Sequence, residues 1–119
     1  MPKESAIVRS IQRYVKASGG KCYKLHGGPQ AAGRPDLIGI VSGVPFVCEV
    51  KQPGKQPTAL QAYELNEWGV AGVESIVAHS VDEFKQAICG DALTLRLRDA
   101  IANAQPANGS ALTGDEPEG

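Results

Sequence analysis

In the stretch GRPDLIGIVSGVPFVCEVK, residues 33–51, three charged side chains bracket two apolar runs that otherwise read as buried strands. Asp36 opens the first run, and Glu49 and Lys51 close the second. A turn centred on Ser42 and Gly43 makes the pair of runs a hairpin, and antiparallel pairing then sets residue 36 opposite a position near 49 or 50. Side chains alternate along a strand, so Glu49 and Lys51 share a face while Val50 points away. Two carboxylates and one ammonium thus converge on one patch. Carboxylates this close repel unless a cation lies between them, and an all-oxygen ligand set suits a hard ion such as Mg2+ or Mn2+. An adjacent lysine can hold or help deprotonate an attacking water and stabilise charge developing on phosphorus. These are the parts that phosphodiester hydrolysis requires.

The elements that must position them follow from periodicity and turn chemistry. In PKESAIVRSIQRYVKASGG, Ile7, Ile11, Tyr14 and Val15 recur at helical spacing, Pro2 suits a first turn and Gly19-Gly20 a stop, which predicts a helix of about four turns. Glu4 lies on the inward stripe of that helix, at its N-terminal end. KCYKLH is a short strand, GGPQAAGRP a loop, and DLIGIVSGVPFVCEVK the hairpin, with Pro45 at an edge or at the start of its strand. After the turn-rich KQPGKQP, TALQAYELNEW is a second helix in which Thr58 and Gln61 have capping-box spacing. VESIVAH is a further strand and VDEFKQAIC a third helix. DALTLRLRDAIANA reads as a fourth helix, through Leu93, Leu97, Ala100 and Ile101, or, from its Leu/Arg alternation, as a strand; the helical stripe favours the helix. The expected architecture is α/β: an αβββαβ core with a small mixed sheet flanked by helices. Residues 1–104 form one domain, and 105–119 are an acidic tail too polar to support a core.

Composition narrows the possible partners. A chain of 119 residues forms one domain that buries roughly two thirds of its unfolded surface, so it needs no disulfide staple. Cys22, Cys48 and Cys89 are widely spaced and read as small buried hydrophobes in a reducing compartment. The start, MPKESAIVRS, lacks the apolar core of a signal peptide, and no apolar run reaches bilayer length, so a soluble cytoplasmic protein with no membrane partner is expected. The net charge of -1 hides an asymmetry: residues 1–56 hold nine basic side chains against three acids, whereas acids predominate from residue 57 onward. A basic half of this kind is an electrostatic footprint for a phosphate polymer.

Asp36, then Glu49-Val50-Lys51, with a helical Glu4 upstream, resembles the PD-(D/E)XK nuclease core, here with a literal Pro35-Asp36. More closely, Gly33-Arg34-Pro35-Asp36-Leu37, the hairpin, Glu49-x-Lys51, Gly54-Lys55 and Gln61 resemble the VRR-NUC (virus-type replication-repair nuclease) family over roughly residues 4–78. The resemblance implies a restriction-endonuclease-like fold and a metal-dependent DNA endonuclease using Mg2+ or Mn2+. It also implies structure-selective cutting, as of branched DNA such as four-way (Holliday) junctions, by a homodimer of the stand-alone phage or bacterial type linked to DNA repair. By residue it assigns metal binding to Asp36, Glu49 and the Val50 carbonyl, catalysis to Lys51, an assisting role through a water to Glu4, and support of the site to Gln61. Arg9, Arg13, Arg34, Lys55 and His26 become candidate DNA contacts.

Each residue also has a plainer reading. Glu49 and Lys51 can form a solvated ion pair, Asp36 can be a turn residue, Gln61 a helix cap, and Glu4 a first-turn acid complementing the helix dipole. His26 and His79 lack ligand spacing and read as structural, and Trp68 reads as core. Within the enzyme class, a non-specific or single-strand-directed nuclease stands beside the junction-cutting one. A non-catalytic DNA-binding module of the same fold is the other function class, although it has less reason to keep Asp36, Glu49 and Lys51 together. Sequence does not locate the surface of the homodimer; the third helix and the Leu93 to Ile101 segment are candidates, because their apolar residues exceed what one small core needs.

Overall fold

The structure, a computed structural model, describes residues 2–26, 32–90 and 101. Its elements run α1 (Glu4–Ala17), β1 (Lys21–Lys24), β2 (Leu37–Val41), β3 (Val44–Val50), α2 (Ala59–Ala71) and β4 (Glu74–Ala78). A third helix, α3, follows over residues 81–90. The sheet order is β1-β2-β3-β4, with antiparallel pairs β1/β2 and β2/β3 and a parallel pair β3/β4 joined through α2. This is the expected αβββαβ order around a mixed sheet, the restriction-endonuclease-like architecture. The expected fourth helix and acidic tail lie outside the described residues, apart from Ile101, which is helical and exposed.

The β2/β3 hairpin turns where the sequence requires it. Ser42 (φ 53°) and Gly43 (φ 78°) both adopt the left-handed region, the signature of a two-residue turn whose twist matches the flanking strands. Val41 then pairs with Val44 and Leu37 with Cys48. Pro45 is the second residue of β3; its partner is Ile40 of β2, and β4 begins pairing only at Phe46, so the proline blocks no ladder bond to β4. At Gly39, a side chain would run into the backbone of Lys21 and Cys22, so the bare backbone there lets β1 lie close.

The two faces of the sheet are unlike. On one, Leu37, Val41, Val44, Phe46, Cys48, Val50, Ile76 and Ala78 join Ile7, Val8, Ile11 and Val15 of α1 and Phe84 and Ile88 of α3 in a closed apolar core. Phe84 packs edge-on to Phe46 and to Tyr14, with ring centroids 4.9 Å and 6.1 Å apart. The other face carries Val47, which is fully buried but outside that core, and is crossed by α2, whose one buried residue is Leu65.

Several expectations need correction. Trp68 is half-buried and Leu65 is the inward residue of α2; a helix with apolar residues all round has no single stripe to name the winner. Tyr14 is half-buried at the margin of the core, and Val8 takes a place inside it. Cys48 is buried, but Cys22 is half-buried and Cys89 is exposed. Pro2 precedes the helix, which starts at Glu4 after an extended Lys3. The second helix runs three residues beyond Trp68, to Ala71, and stops at Gly72 (φ 118°), where a left-handed residue ends the hydrogen-bond ladder.

Candidate active site

Asp36 lies immediately before β2, and its backbone is anchored on both sides. Its N–H donates to the Cys48 carbonyl (3.0 Å), and its own carbonyl accepts from the Leu25 N–H (2.8 Å). Its carboxylate Oδ2 accepts the Val50 N–H at 2.8 Å. The approach is held by packing: Pro35 is fully buried, and Gly33 (φ 84°) sits so close to Leu60 and Glu64 of α2 that a side chain there would collide with them. The Gly-Arg-Pro-Asp stretch thus passes under α2 into the sheet at a set angle.

Glu49 is directly opposite this aspartate, because the pairing of Leu37 with Cys48 continues outward by one residue. Alternation turns Val50 into the apolar core and Glu49 and Lys51 toward the α2 face. The Lys51 Nζ stands 3.6 Å from Glu49 Oε2, and the Lys51 N–H is tied to the Ala78 carbonyl of β4 at 3.0 Å. Glu49 is 3% exposed, the one charged side chain that is buried among the described residues, and its Oε1 has no hydrogen-bond partner. A buried carboxylate oxygen without a partner is costly, so one in this position points to a ligand that completes it.

The electrostatics agree. Burial, and then the charge of Asp36, push the Glu49 carboxyl up to about 7; the Lys51 ammonium opposes them, and Glu4 adds to the rise. Asp36 is also raised, first by burial, against which the Val50 N–H and the Lys51 ammonium act, while the Glu4 charge adds to it. The single Lys51 ammonium offsets only part of this rise. Among the described residues no group of three or more His, Cys, Asp or Glu side chains could hold an ion. Asp36 and Glu49 form a pair, and Glu4 reaches both through its charge. The orphaned Oε1 and the raised carboxyls fit a divalent cation held by few protein oxygens, with positions left for water and phosphate.

Other expected residues are less closely joined. Gln61 forms a capping box: its Oε1 accepts the Thr58 N–H at 2.9 Å, and its N–H donates to Thr58 Oγ1 at 3.2 Å. The amide oxygen that could have served the site is therefore engaged in starting α2. Arg9, Arg13, His26, Arg34 and Lys55 are all exposed. Among the described residues, no hydrogen bond or ion pair links the four basic side chains of this set to the carboxylates; Arg13 reaches only Ser10 Oγ, at 3.5 Å. His79, read from sequence as structural, holds a denser set of bonds than any of them. Its Nε2 lies 2.7 Å from the Lys55 carbonyl, and its Nδ1 lies 2.9 Å from Glu83 Oε1. The signal was the i,i+4 pair His79-x-x-x-Glu83, spanning the Ser80 start of α3. Burial pushes the Cys22 thiol up to about 11 and raises Cys48 further, so neither offers a thiolate at neutral pH.

No protein-family model matches the chain, and no curated protein matches it. Solved structures do. One described as "VRR_NUC domain" superposes with a TM-score of 0.63 at 27% identity, over 74% of this chain and 96% of that one. Another, described as "VRR_NUC domain protein", gives a TM-score of 0.60 at 18% identity over 73% and 85% of the respective chains, a likeness of fold.

Proposed function

Taking as premise the VRR-NUC domain, a nuclease-family domain, that these structural likenesses support, we propose that the chain is a Mg2+- or Mn2+-dependent endonuclease hydrolysing phosphodiester bonds of DNA. The observation that carries this reading is the buried Glu49, with its unpartnered oxygen, set against Asp36 and balanced by Lys51. Asp36, Glu49 and the Val50 carbonyl would hold the ion, with Glu4 assisting through a water. A divalent ion bound there supplies a Lewis acid that polarises the scissile phosphate and lowers the pKa of an attacking water. Asp36 is pre-oriented by the Val50 N–H, so no side-chain ordering is needed on binding. Lys51, held by its ion pair with Glu49, faces the developing charge on the phosphate oxygens and orients the nucleophilic water. The exposed Arg9, Arg13, Arg34, Lys55 and His26 bind the DNA backbone, which gives affinity without sequence preference. Gln61 supports the site by fixing the start of α2.

Branched DNA is the proposed substrate and the four-way junction the leading candidate. One domain presents one carboxylate pair, so paired cuts call for a symmetric homodimer. The deciding experiment is cleavage of labelled four-way junction, flap, duplex and single-stranded DNA in Mg2+, Mn2+ or EDTA by the wild type, Glu49→Ala and Lys51→Ala, with the oligomeric state from light scattering. Symmetric paired nicks lost in EDTA and in both variants are expected. Metal-dependent cutting of the other substrates alone would keep the site and discard the junction. Retained binding with no cutting of any substrate would replace the enzyme with a DNA-binding module.

A further inference from the structure

The loop that leaves Lys51 is tied down at both ends. Lys51 N–H bonds to the Ala78 carbonyl, and Lys55 N–H closes a turn on the Gln52 carbonyl at 3.0 Å, with Pro53 and Gly54 (φ 86°) at its centre. The far end is held by His79, one residue beyond β4, through the 2.7 Å contact to the Lys55 carbonyl. The same imidazole meets Glu83 Oε1 at 2.9 Å, and that oxygen also accepts the His79 N–H at 2.9 Å. Glu83 is placed by its own N–H, which donates to Ser80 Oγ at 3.1 Å at the start of α3.

Both ring nitrogens face acceptors that cannot donate: a backbone carbonyl and a carboxylate. A neutral imidazole has one N–H and satisfies one of them; an imidazolium satisfies both. With both nitrogens engaged, His79 has none left for a phosphate or a substrate proton. We infer that His79 is a positioning residue: as an imidazolium it clasps the Gln52–Pro57 loop to the start of α3 and so sets where Lys55 presents its charge to DNA. The inference rests on the nuclease reading only for the use made of the loop. The facing groups are Glu83 from α3 and the Lys55 carbonyl from the loop. On the α1 side a cavity of about 180 Å3 is lined by Pro2, Ala6, Ile7, Ser10, Ser80 and Val81, none of which has a titrating side chain. The Glu83 carboxylate, and after it the Lys55 carbonyl, keep the imidazole protonated above its ordinary range. The clasp therefore loosens as pH rises through that raised value.

The test has two arms on the full chain. In the first, NMR follows the His79 Cε1–H and the Gly54 and Lys55 amides from pH 5 to 9. His79 is expected to titrate above the ordinary imidazole value of 6.5, the two amides to move with it, and Glu83→Gln to shift that midpoint downward. Amides that ignore His79, or a His79 that titrates at or below the ordinary value, would overturn the clasp. In the second arm, binding of a labelled four-way junction is measured by anisotropy in Ca2+ across the same range. His79→Ala is expected to weaken binding at pH 6.5 by about tenfold, the loss of one charge-assisted hydrogen bond. His79→Gln, whose amide can still donate to the Lys55 carbonyl, is expected to restore binding to within about twofold of wild type while removing its decline at high pH. Unchanged binding in His79→Ala would overturn the role in DNA recognition. A wild type that neither binds nor cuts DNA would overturn the nuclease reading itself and with it the use of the loop, while the amide titration decides the clasp independently.

Discussion

The two faces of the four-stranded sheet divide the work of the molecule. Under α1 and α3 every inward position is closed, from Ile11 and Leu37 to Phe46 and Phe84, all with no exposure. Under α2 the cover is partial: Ile40 remains 45% exposed, and Leu60, Tyr63 and Val70 of the helix side point largely to solvent at 49%, 59% and 82%. The carboxylate pair stands on the open face, at the end of strands whose other side is locked into the core. Close packing behind it holds the charges in place at a cost in desolvation, and openness in front leaves room for a polymer. From Gln56 to Phe84 there is no lysine or arginine, so α2 itself adds no Lys or Arg to this face, and the basic side chains of residues 1–55 are the ones expected to draw DNA to the carboxylates.

The largest effects should come from the charges themselves. Glu49→Ala or Lys51→Ala is expected to lower cleavage by about a thousandfold or more while junction binding in Ca2+ stays within a few-fold of wild type, because the loss is of transition-state stabilisation. Cleavage surviving within about tenfold would remove the open face from the mechanism. Next, truncation should separate the two faces in urea denaturation. Phe46→Ala in the closed core is expected to cost about 3–5 kcal/mol, and Leu65→Ala, beside the groove that α2 and β4 leave open, about 2 kcal/mol. Equal costs would mean that both faces are equally packed.

A smaller effect sharpens the electrostatic side of the contrast. Glu49 titrates at about 7 in the fold against an ordinary 4.5. The folded state thus holds an extra proton between those values, and metal-free stability falls as pH climbs from about 4.5 to about 7. The fall amounts to about 3 kcal/mol by linkage. Glu49→Gln should abolish that slope, and added Mg2+ should stabilise the wild type more at pH 8 than at pH 6; a wild-type slope unchanged in the variant would place the titration elsewhere. Least affected of all, Val70→Ser is expected to change stability by less than about 0.5 kcal/mol, since the side chain is already in water. A loss of more than 1 kcal/mol that grows with protein concentration would show that copies meet through α2, and not through the α3 to Ile101 region.

Much of the site was legible in sequence because its parts are local to one hairpin. The Ser42-Gly43 turn sets the register, the strand period of two puts Glu49 and Lys51 on one side, and counting from the turn brings Asp36 opposite Glu49. The stripe of α1 was equally clear, since Ile7, Ile11 and Val15 recur against polar neighbours. Three things required tertiary structure. VPFVCEV is apolar at positions of both parities, so periodicity could not say which face of β3 is the core and which is open. In α2, apolar residues all round left Leu65 and Trp68 equivalent until β4 was placed beneath them. His79 looked isolated because its partner at Lys55 is 24 residues away; only the parallel docking of β4 beside β3 brings that imidazole to the loop behind Lys51. Short-range periodicity and turn geometry are written in neighbouring residues, whereas the choice between two apolar faces and the meeting of distant polar groups arise when the whole chain packs.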